Sequence, residues 1–158
     1  MLRPMRWEDL DKQACPVARG LSVVGDRWTL LVLRDCFLGI RRFEQFQSRL
    51  GITRHVLTDR LRKLEDAGVL ERRRYCDRPP RHEYRLTERG KALHPVLVSL
   101  IAWAEAHVPA DGPSSVRLVS RRTGAPVRPV LVDEATGERL THLTVSALRA
   151  APDAPADD

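Results

Sequence analysis

The residues with the clearest chemistry lie in segment 53–68, which combines basic and hydrogen-bonding side chains at helical spacing. Leu57, Leu61 and Leu64 recur at the spacing of a buried helix face. The other side of the segment carries residues suited to contacting nucleic acid: Thr53, Arg54, His55, Thr58, Asp59 and Arg62. Arginine can pair with guanine edges, and threonine can touch a thymine methyl group. The pattern predicts a helix over residues 53–67, capped by Thr53, that can lie in a DNA major groove.

A solvated helix face is the alternative interpretation of these charges, and the distribution of charge favours nucleic acid over it. Residues 41–89 contain 13 Arg and one Lys against eight acidic residues, whereas the charges of the other 109 residues cancel. A basic segment around an amphipathic helix is typical of proteins that bind a polyanion. Asp59 is less favourable near phosphate, so we expect it either to accept a hydrogen bond from a cytosine amino group or to orient a neighbouring arginine, Arg54 or Arg62.

A second helix is predicted directly before this segment. Phe43, Phe46 and Leu50 have helical spacing, and the short stretch 51–52 begins with glycine. A helix, a short turn containing glycine and a second helix make a helix-turn-helix arrangement. Two basic residues, Arg41 and Arg42, precede the first of these helices, and we expect them to contact phosphate rather than bases.

Two strands are predicted directly after the segment. Residues 69–75 and 83–86 have the composition of strands, and the prolines within 76–82 indicate a loop. Helix-turn-helix followed by a β-hairpin is the sequence order of a winged helix. Arg78 and Arg81 at the hairpin tip could contact a phosphate or the minor groove, although keeping an exposed tip soluble is an equally good explanation for either one.

The remaining helices are expected to build the core and a dimer interface. Cys15-Pro16 predicts the start of a helix that buries Val17, Leu21 and Val24 and ends at Gly25. Asp26 is a candidate cap for the next helix, which is apolar on nearly all sides. A long apolar helix should run from residue 88 to 107, with a kink or a late start at Pro95. Its surplus apolar surface predicts a homodimer, completed by the arm at residues 1–13.

Composition and cysteine usage limit the class of protein. The chain is 42% apolar and 30% charged, and it contains no apolar run long enough to span a membrane. We expect a cytoplasmic protein without membrane contact, since no secretory signal is evident. Cys15, Cys36 and Cys76 are too few and too scattered for a disulfide framework or a metal knuckle. Paired carboxylates, a nucleophile with a base and a glycine-rich phosphate loop are also missing, so we predict no enzyme activity and no cofactor.

The motifs together resemble one family. These are CPVARGLSVVGDRWTLLVLRDCFLGIRRFEQFQ, GITRHVLTDRLRKLEDAGVLERR and RPPRHEYRLTERGKAL, which span about residues 15–107. They resemble the HxlR-type family of bacterial winged helix-turn-helix regulators, in the MarR-like superfamily. The resemblance implies a homodimeric repressor or activator that binds double-stranded DNA. It also implies a mainly α-helical fold with a small β-hairpin, with the helix at 53–67 in the major groove and the wing at 69–86 beside it.

The resemblance extends to a sensor position and to the C-terminal region. Some relatives sense oxidants through a cysteine where Cys15 stands. A buried, unreactive thiol is the alternative there, because its exposure is unknown from sequence. Residues 116–145 are similar to a β-ribbon that in some relatives carries zinc knuckles. Thr123-Gly124 and Asp133-x-x-Thr136-Gly137 replace those cysteines, so we expect the ribbon to be free of metal.

The expected organisation has four parts. They are an arm at 1–13, a winged domain with its dimerisation helix at 14–108, a β-ribbon at 113–148 and a disordered acidic tail at 149–158. A pocket between the dimer helices, lined by Trp28, Trp103 or Trp7, would suit a small-molecule effector and is compatible with DNA binding. The alternative function is a ligand-binding or protein-interaction module that has kept this scaffold without specific DNA binding.

Overall fold

The structure is a computed structural model, and it describes residues 6–148. A short 3₁₀ helix at Trp7–Lys12 precedes the regular elements. These are α1 (Pro16–Val24), α2 (Thr29–Phe37), α3 (Phe43–Leu50), α4 (Arg54–Asp66), β1 (Leu70–Asp77), β2 (Pro80–Leu86), α5 (Glu88–Lys91) and α6 (His94–His107). The predicted winged helix-turn-helix order is confirmed. Residues 1–5 of the predicted arm and the predicted tail at 149–158 lie outside the described residues.

The chain divides into two compact units between Leu97 and Val98, inside α6. The first unit contains the core, in which apolar residues of α2, α3, α4 and β1 pack together. Fully buried members include Val32, Leu33, Phe46, Leu57, Leu61, Leu64 and Val69. Within residues 6–148, no helix has both the length and the apolar character needed to cross a membrane.

The helix starts are fixed by side chains that the sequence identifies. The Asp26 carboxylate accepts hydrogen bonds from the backbone N–H groups of Trp28 and Thr29 at 2.9 and 3.0 Å. Burial opposes its ionisation, but the hydrogen bonds from Thr29 and Trp28 and the nearby Arg60 guanidinium outweigh burial and lower the Asp26 pKa. Thr53 caps α4 by accepting from the Val56 N–H at 3.3 Å. The capping prediction for Thr53 is confirmed, whereas Asp26 closes the turn that leads into α2, whose N-cap position is Trp28.

The inward side of α1 differs from the prediction. Val17 and Leu21 are 69% and 42% exposed, and Ala18 is the buried residue of the helix. Of the predicted stripe, Val24 does pack against the core, but α1 also contacts the 3₁₀ helix, and the buried residues of these two elements are Ala18 and Leu10. Two apolar side chains are therefore left on the surface of the unit.

The wing is longer and its turn tighter than predicted. The strands pair in antiparallel register from Leu70 opposite Leu86 to Asp77 opposite Pro80, so Arg78 and Pro79 alone make the turn. The predicted loop at 76–82 is therefore wrong. Proline often indicates a loop, but Pro80 is the first residue of its strand, where its missing N–H does not interrupt the ladder.

The segment after the wing is held by a close backbone approach. The Thr87 hydroxyl donates to the Gly68 carbonyl at 2.6 Å, and the Thr87 N–H donates to the Val69 carbonyl at 3.1 Å. A Cβ atom on Gly90 would lie 2.2 Å from the Val69 carbonyl oxygen, so this position requires glycine. The helix predicted over residues 88–107 was expected to have either a kink or a late start at Pro95. The structure shows the late start, since α5 ends at Lys91 and α6 begins at His94.

The C-terminal β-ribbon consists of two short hairpin turns with the same hydrogen bonds. Bridges join Val119 to Pro126 and Val132 to Arg139. In each turn, the side chain of Ser120 or Asp133 accepts from the two backbone N–H groups that lie two and three residues further on. A glycine at φ near 70° ends each turn. Asp133, at one of the expected knuckle positions, thus uses its carboxylate to close a turn.

Asp35 on α2 is a fully buried carboxylate that forms an ion pair with the half-exposed Arg49 of α3. Its carboxylate is 2.8 Å from Arg34 Nη2 and 3.2 Å from Arg49 Nε, and its side chain is completely buried. Removing one partner from a buried charge leaves it undercompensated, which is costly. The ion pair between Asp35 and Arg49 therefore fixes the angle between α2 and α3, the first helix of the helix-turn-helix.

We predict that Arg49→Ala lowers the free energy of unfolding by about 1–3 kcal/mol, because Asp35 loses one of two cationic partners. The matched control is Arg62→Ala on the exposed face of α4, where the ion pair with Asp66 spans 3.9 Å in solvent. That control should change the free energy by less than about 0.5 kcal/mol. Urea unfolding of both variants measures the difference. Equal losses would contradict a special role for the buried carboxylate.

Candidate nucleic-acid interface

Helix α4 presents a polar face because its leucines fix its rotation about its own axis. Leu57, Leu61 and Leu64 are at most 1% exposed and lie in the core. Since successive residues turn by about 100°, burying these three leucines turns the other side of the helix outward. The outward residues are Arg54, His55, Thr58 and Arg62, all exposed.

The turn before α4 has the geometry of a helix-turn-helix. Gly51 adopts φ 64°, a left-handed conformation that favours glycine, and it ends α3. Ile52 is buried beside it. The turn is therefore short and anchored in the core, and it joins the end of α3 directly to the start of α4.

The side chains on the α4 face have different contacts. The Thr58 hydroxyl donates to the Arg54 carbonyl at 2.8 Å. Asp59 lies 3.3 Å from Arg60 and 3.7 Å from Lys63. The expectation that Asp59 orients Arg54 or Arg62 is therefore wrong, because the carboxylate is turned toward other cations. His55 and Arg62 are exposed on the same face, and Arg62 Nε lies 3.9 Å from the Asp66 carboxylate.

The wing is joined directly to the helix-turn-helix. The Tyr84 N–H on β2 donates to the Arg41 carbonyl at 2.7 Å. Arg41 thus contributes its backbone to holding the wing, and its exposed side chain faces solvent. This hydrogen bond brings the strands of the wing beside the N-terminal ends of α3 and α4.

A polar notch of about 690 Å³ lies between the N-terminal ends of α3 and α4 and the wing. Its basic lining residues are Arg42, Arg54, Arg72, Arg81 and His82, and Glu44 is the acidic side chain among its lining residues. Arg42, Arg54 and Arg81 were singled out from the sequence. Arg72, His82, Phe43 and Tyr75 were missed, although the run Arg72-Arg73-Arg74-Tyr75 marks a basic strand with an adjacent aromatic residue.

The tip of the wing carries two exposed basic side chains. Arg78 is exposed in the two-residue turn, and Arg81 is exposed one residue into β2. Arg74, on β1, forms an ion pair with Asp77 at 3.2 Å. The structure therefore separates the tip arginines, which face solvent, from an arginine used to brace the hairpin.

The three cysteines lie in different surroundings. Cys15 is exposed, directly before α1. Burial raises the pKa of the Cys36 thiol to about 12, and the neighbouring Asp35 carboxylate adds to the effect, so Cys36 is unreactive at neutral pH. Among the described residues, no group of three or more His, Cys, Asp or Glu side chains could hold a metal ion.

Trp28 and Trp103, the tryptophans expected beside an effector pocket, lie in different units. Trp28 lies in the first unit and lines a shallow cleft of about 420 Å³ with Asp26, Val56 and Arg60. Trp103 lies in the second unit, where it is 56% exposed beside His107. Each tryptophan therefore has its own surroundings within its unit.

A family model for the HxlR-like helix-turn-helix matches residues 23–112. The chain belongs to the HxlR-like helix-turn-helix family. The match spans both helices of the helix-turn-helix, the wing and α6. The resemblance inferred from the motifs is thus confirmed, and this HxlR-like protein has the winged DNA-binding fold of a transcription regulator.

Relatives and solved structures agree with this assignment. A protein of Mycobacterium tuberculosis, described as an uncharacterized HTH-type transcriptional regulator, is 41% identical over 130 residues, which cover 82% of each chain. PA1607, solved as a candidate transcription factor, has a TM-score of 0.78 and 39% identity, with 89% of this chain and 98% of that one covered. The redox regulator HypR in its oxidized form has a TM-score of 0.56 and 35% identity, and the match covers 61% of this chain and all of HypR.

Proposed function

We propose that this HxlR-like regulator binds double-stranded DNA with α4 in the major groove and the wing against the flanking backbone. The outward face of α4, with its leucines buried and its basic residues exposed, carries the proposal. A helix of 13 residues is about 20 Å long, enough to cross a major groove about 12 Å wide. Regulation of transcription in the cytoplasm, without catalysis, is the corresponding biological role.

Within this arrangement the arginines have two kinds of role. Arg62, together with His55 and Thr58, faces the groove and contacts base edges. Arg41, Arg42, Arg78 and Arg81 contact phosphates, which fix the position of the protein but carry no sequence information. Thr53 and Asp59 hold α4 itself, one as its cap and the other through its ion pairs.

We further propose that the regulator is a homodimer that reads a palindromic operator. An apolar groove of about 560 Å³ in the first unit lies between α1 and residues 89–96, and Val17, Leu21 and Val96 at its edge are exposed. In the second unit, Leu100 and Trp103 are also exposed. Exposed apolar surface of this kind is typical of a protein interface, and two-fold dimers suit palindromic DNA.

Arg62→Ala should weaken binding to the operator by about 1–3 kcal/mol and leave binding to random DNA nearly unchanged, because a lost base contact affects sequence preference. Arg78→Ala should weaken both to the same extent and make the slope of log K against log salt shallower by about 1. Fluorescence anisotropy on an operator duplex found by footprinting and on a random duplex of equal length measures both effects. A loss for Arg62→Ala that is equal on the two duplexes would rule out base readout.

The competing function is a ligand-binding or protein-interaction module without specific DNA binding. The salt dependence of DNA affinity distinguishes the two functions. A dimer that neutralises about 6–10 phosphates should lose about 10³–10⁵ in affinity between 50 and 200 mM salt. A ligand-binding or protein-interaction module would bind no duplex under the same conditions.

Control by an oxidant through Cys15 is our proposal for regulation. The thiol is exposed directly before α1, so an oxidant in solution can reach it. The solved relative HypR is described as a redox regulator. An unidentified small molecule is the alternative effector.

Cys15→Ser should keep its DNA affinity when treated with diamide, whereas the unmodified protein should release DNA. Gel-shift titration before and after treatment measures this, with Cys76→Ser as the control because its thiol is half-exposed. Release of DNA by oxidised Cys15→Ser would show that Cys15 is not the switch.

A further inference from the structure

Two arginines of the notch lie over aromatic rings contributed by neighbouring elements. Arg42, which precedes α3, has its Cζ atom 4.8 Å from the centroid of the Tyr75 ring on β1. Arg54, the first residue of α4, has its Cζ atom 4.7 Å from the centroid of the Phe43 ring on α3. One contact thus joins the helix-turn-helix to the wing, and the other joins its two helices.

We propose that Phe43 and Tyr75 are positioning residues that hold Arg54 and Arg42 over the notch, ready to bind the phosphate groups of the DNA backbone. On this assignment Arg54 belongs to the backbone contacts, although it begins the helix that reads bases. The proposal rests on the proposed DNA-binding function and adds the means by which two of the contacts are preorganised.

The geometry allows one guanidinium to meet a ring and a phosphate at once. An aromatic ring attracts the flat face of the cation, whereas the N–H donors point outward in the guanidinium plane. Within residues 6–148, neither guanidinium has a hydrogen bond or an ion pair. By contrast, Arg60 on the same helix lies 3.3 Å from Asp26 and from Asp59. The donors of the stacked pair are therefore available for an external anion.

The surroundings favour a phosphate as that anion. Arg72 and Arg81 also line the notch, and Glu44 is the acidic side chain among its lining residues. Planar guanidinium groups match the paired oxygens of a phosphate. A volume of about 690 Å³ that opens toward the exposed side of α4 can admit a stretch of backbone.

Stacking also reduces the entropic cost of binding. A free arginine side chain loses many rotamers when it binds, and a side chain already held over a ring loses fewer. Because the wing carries Tyr75, correct placement of Arg42 depends on the wing being folded against α3. The wing would thus position a DNA contact of the helix-turn-helix in addition to contacting DNA itself.

The first test compares two substitutions of Tyr75, which is 40% exposed and can be replaced without opening the core. Tyr75→Leu should weaken binding by about two- to fivefold, the value expected for one exposed cation–π contact, and equally on an operator duplex and a random duplex. Tyr75→Phe keeps the ring and should bind within about twofold of the unmodified protein. Thermal unfolding of both variants checks that the fold is intact.

The second test compares Arg54→Ala with Arg62→Ala on the same helix. Arg54→Ala should lower affinity equally for both duplexes and make the slope of log K against log salt shallower by about 0.9 for each protomer bound. Arg62→Ala should lower the preference for operator over random DNA instead.

Equal affinities for Tyr75→Leu and Tyr75→Phe would overturn the positioning role of the ring. A loss for Arg54→Ala that is confined to the operator would overturn the assignment of Arg54 to the backbone. Both results require that the unmodified protein binds DNA. If it binds neither duplex, the proposed function fails and this inference fails with it.

Discussion

Burial of the leucine face of α4 is the constraint on which the rest of the interface depends. Leu57, Leu61 and Leu64 are held in a core built by Phe46, Val32 and Leu33. A helix with one face fixed cannot turn about its axis, so the rotation that buries the leucines also decides which residues face outward. The basic face is thus a consequence of core packing. Replacing one such leucine by alanine would typically cost about 2–5 kcal/mol, so the orientation is strongly specified.

Fixing the rotation of α4 is not sufficient, because a DNA surface also needs the wing in register with the helices. Three backbone-level contacts supply this. Tyr84 is joined to the Arg41 carbonyl, Thr87 is joined to the end of the α4–β1 connection, and Gly90 permits a close approach that a side chain would block. Since these contacts involve backbone groups, they place the wing with little dependence on side chains that DNA would contact.

The sequence predicts the parts of the fold that follow from periodicity and local capping. The leucine spacing of α4, the cap at Thr53, and the glycine at position 51 each act over a few residues, so they can be recognised without tertiary structure. The inward side of α1 could not be predicted in this way, because the small Ala18 packs where the larger Val17 was expected. The extent of the wing was also misjudged, since a proline can begin a strand as well as interrupt one.

In the candidate site, too, the features set by local sequence could be predicted and those set by tertiary packing could not. The exposed residues of α4 were predicted because they are defined by the helix that carries them. The notch was not predicted, because it forms where α3, α4 and β1 meet, and Phe43 and Tyr75 are 32 positions apart in the sequence. An aromatic residue beside a run of arginines hints at cation–π contacts, but the partners are decided by tertiary packing.

Hydroxyl-radical footprinting of the protein, with and without bound operator DNA, tests the central claim most directly. If the outward side of α4 and the wing form one DNA surface, side chains in 54–62 and 72–82 should lose reactivity together when DNA binds. Residues on the exposed side of α1 should keep theirs, apart from changes that subunit association alone produces. Protection elsewhere, with α4 and the wing as reactive as in the free protein, would contradict the account.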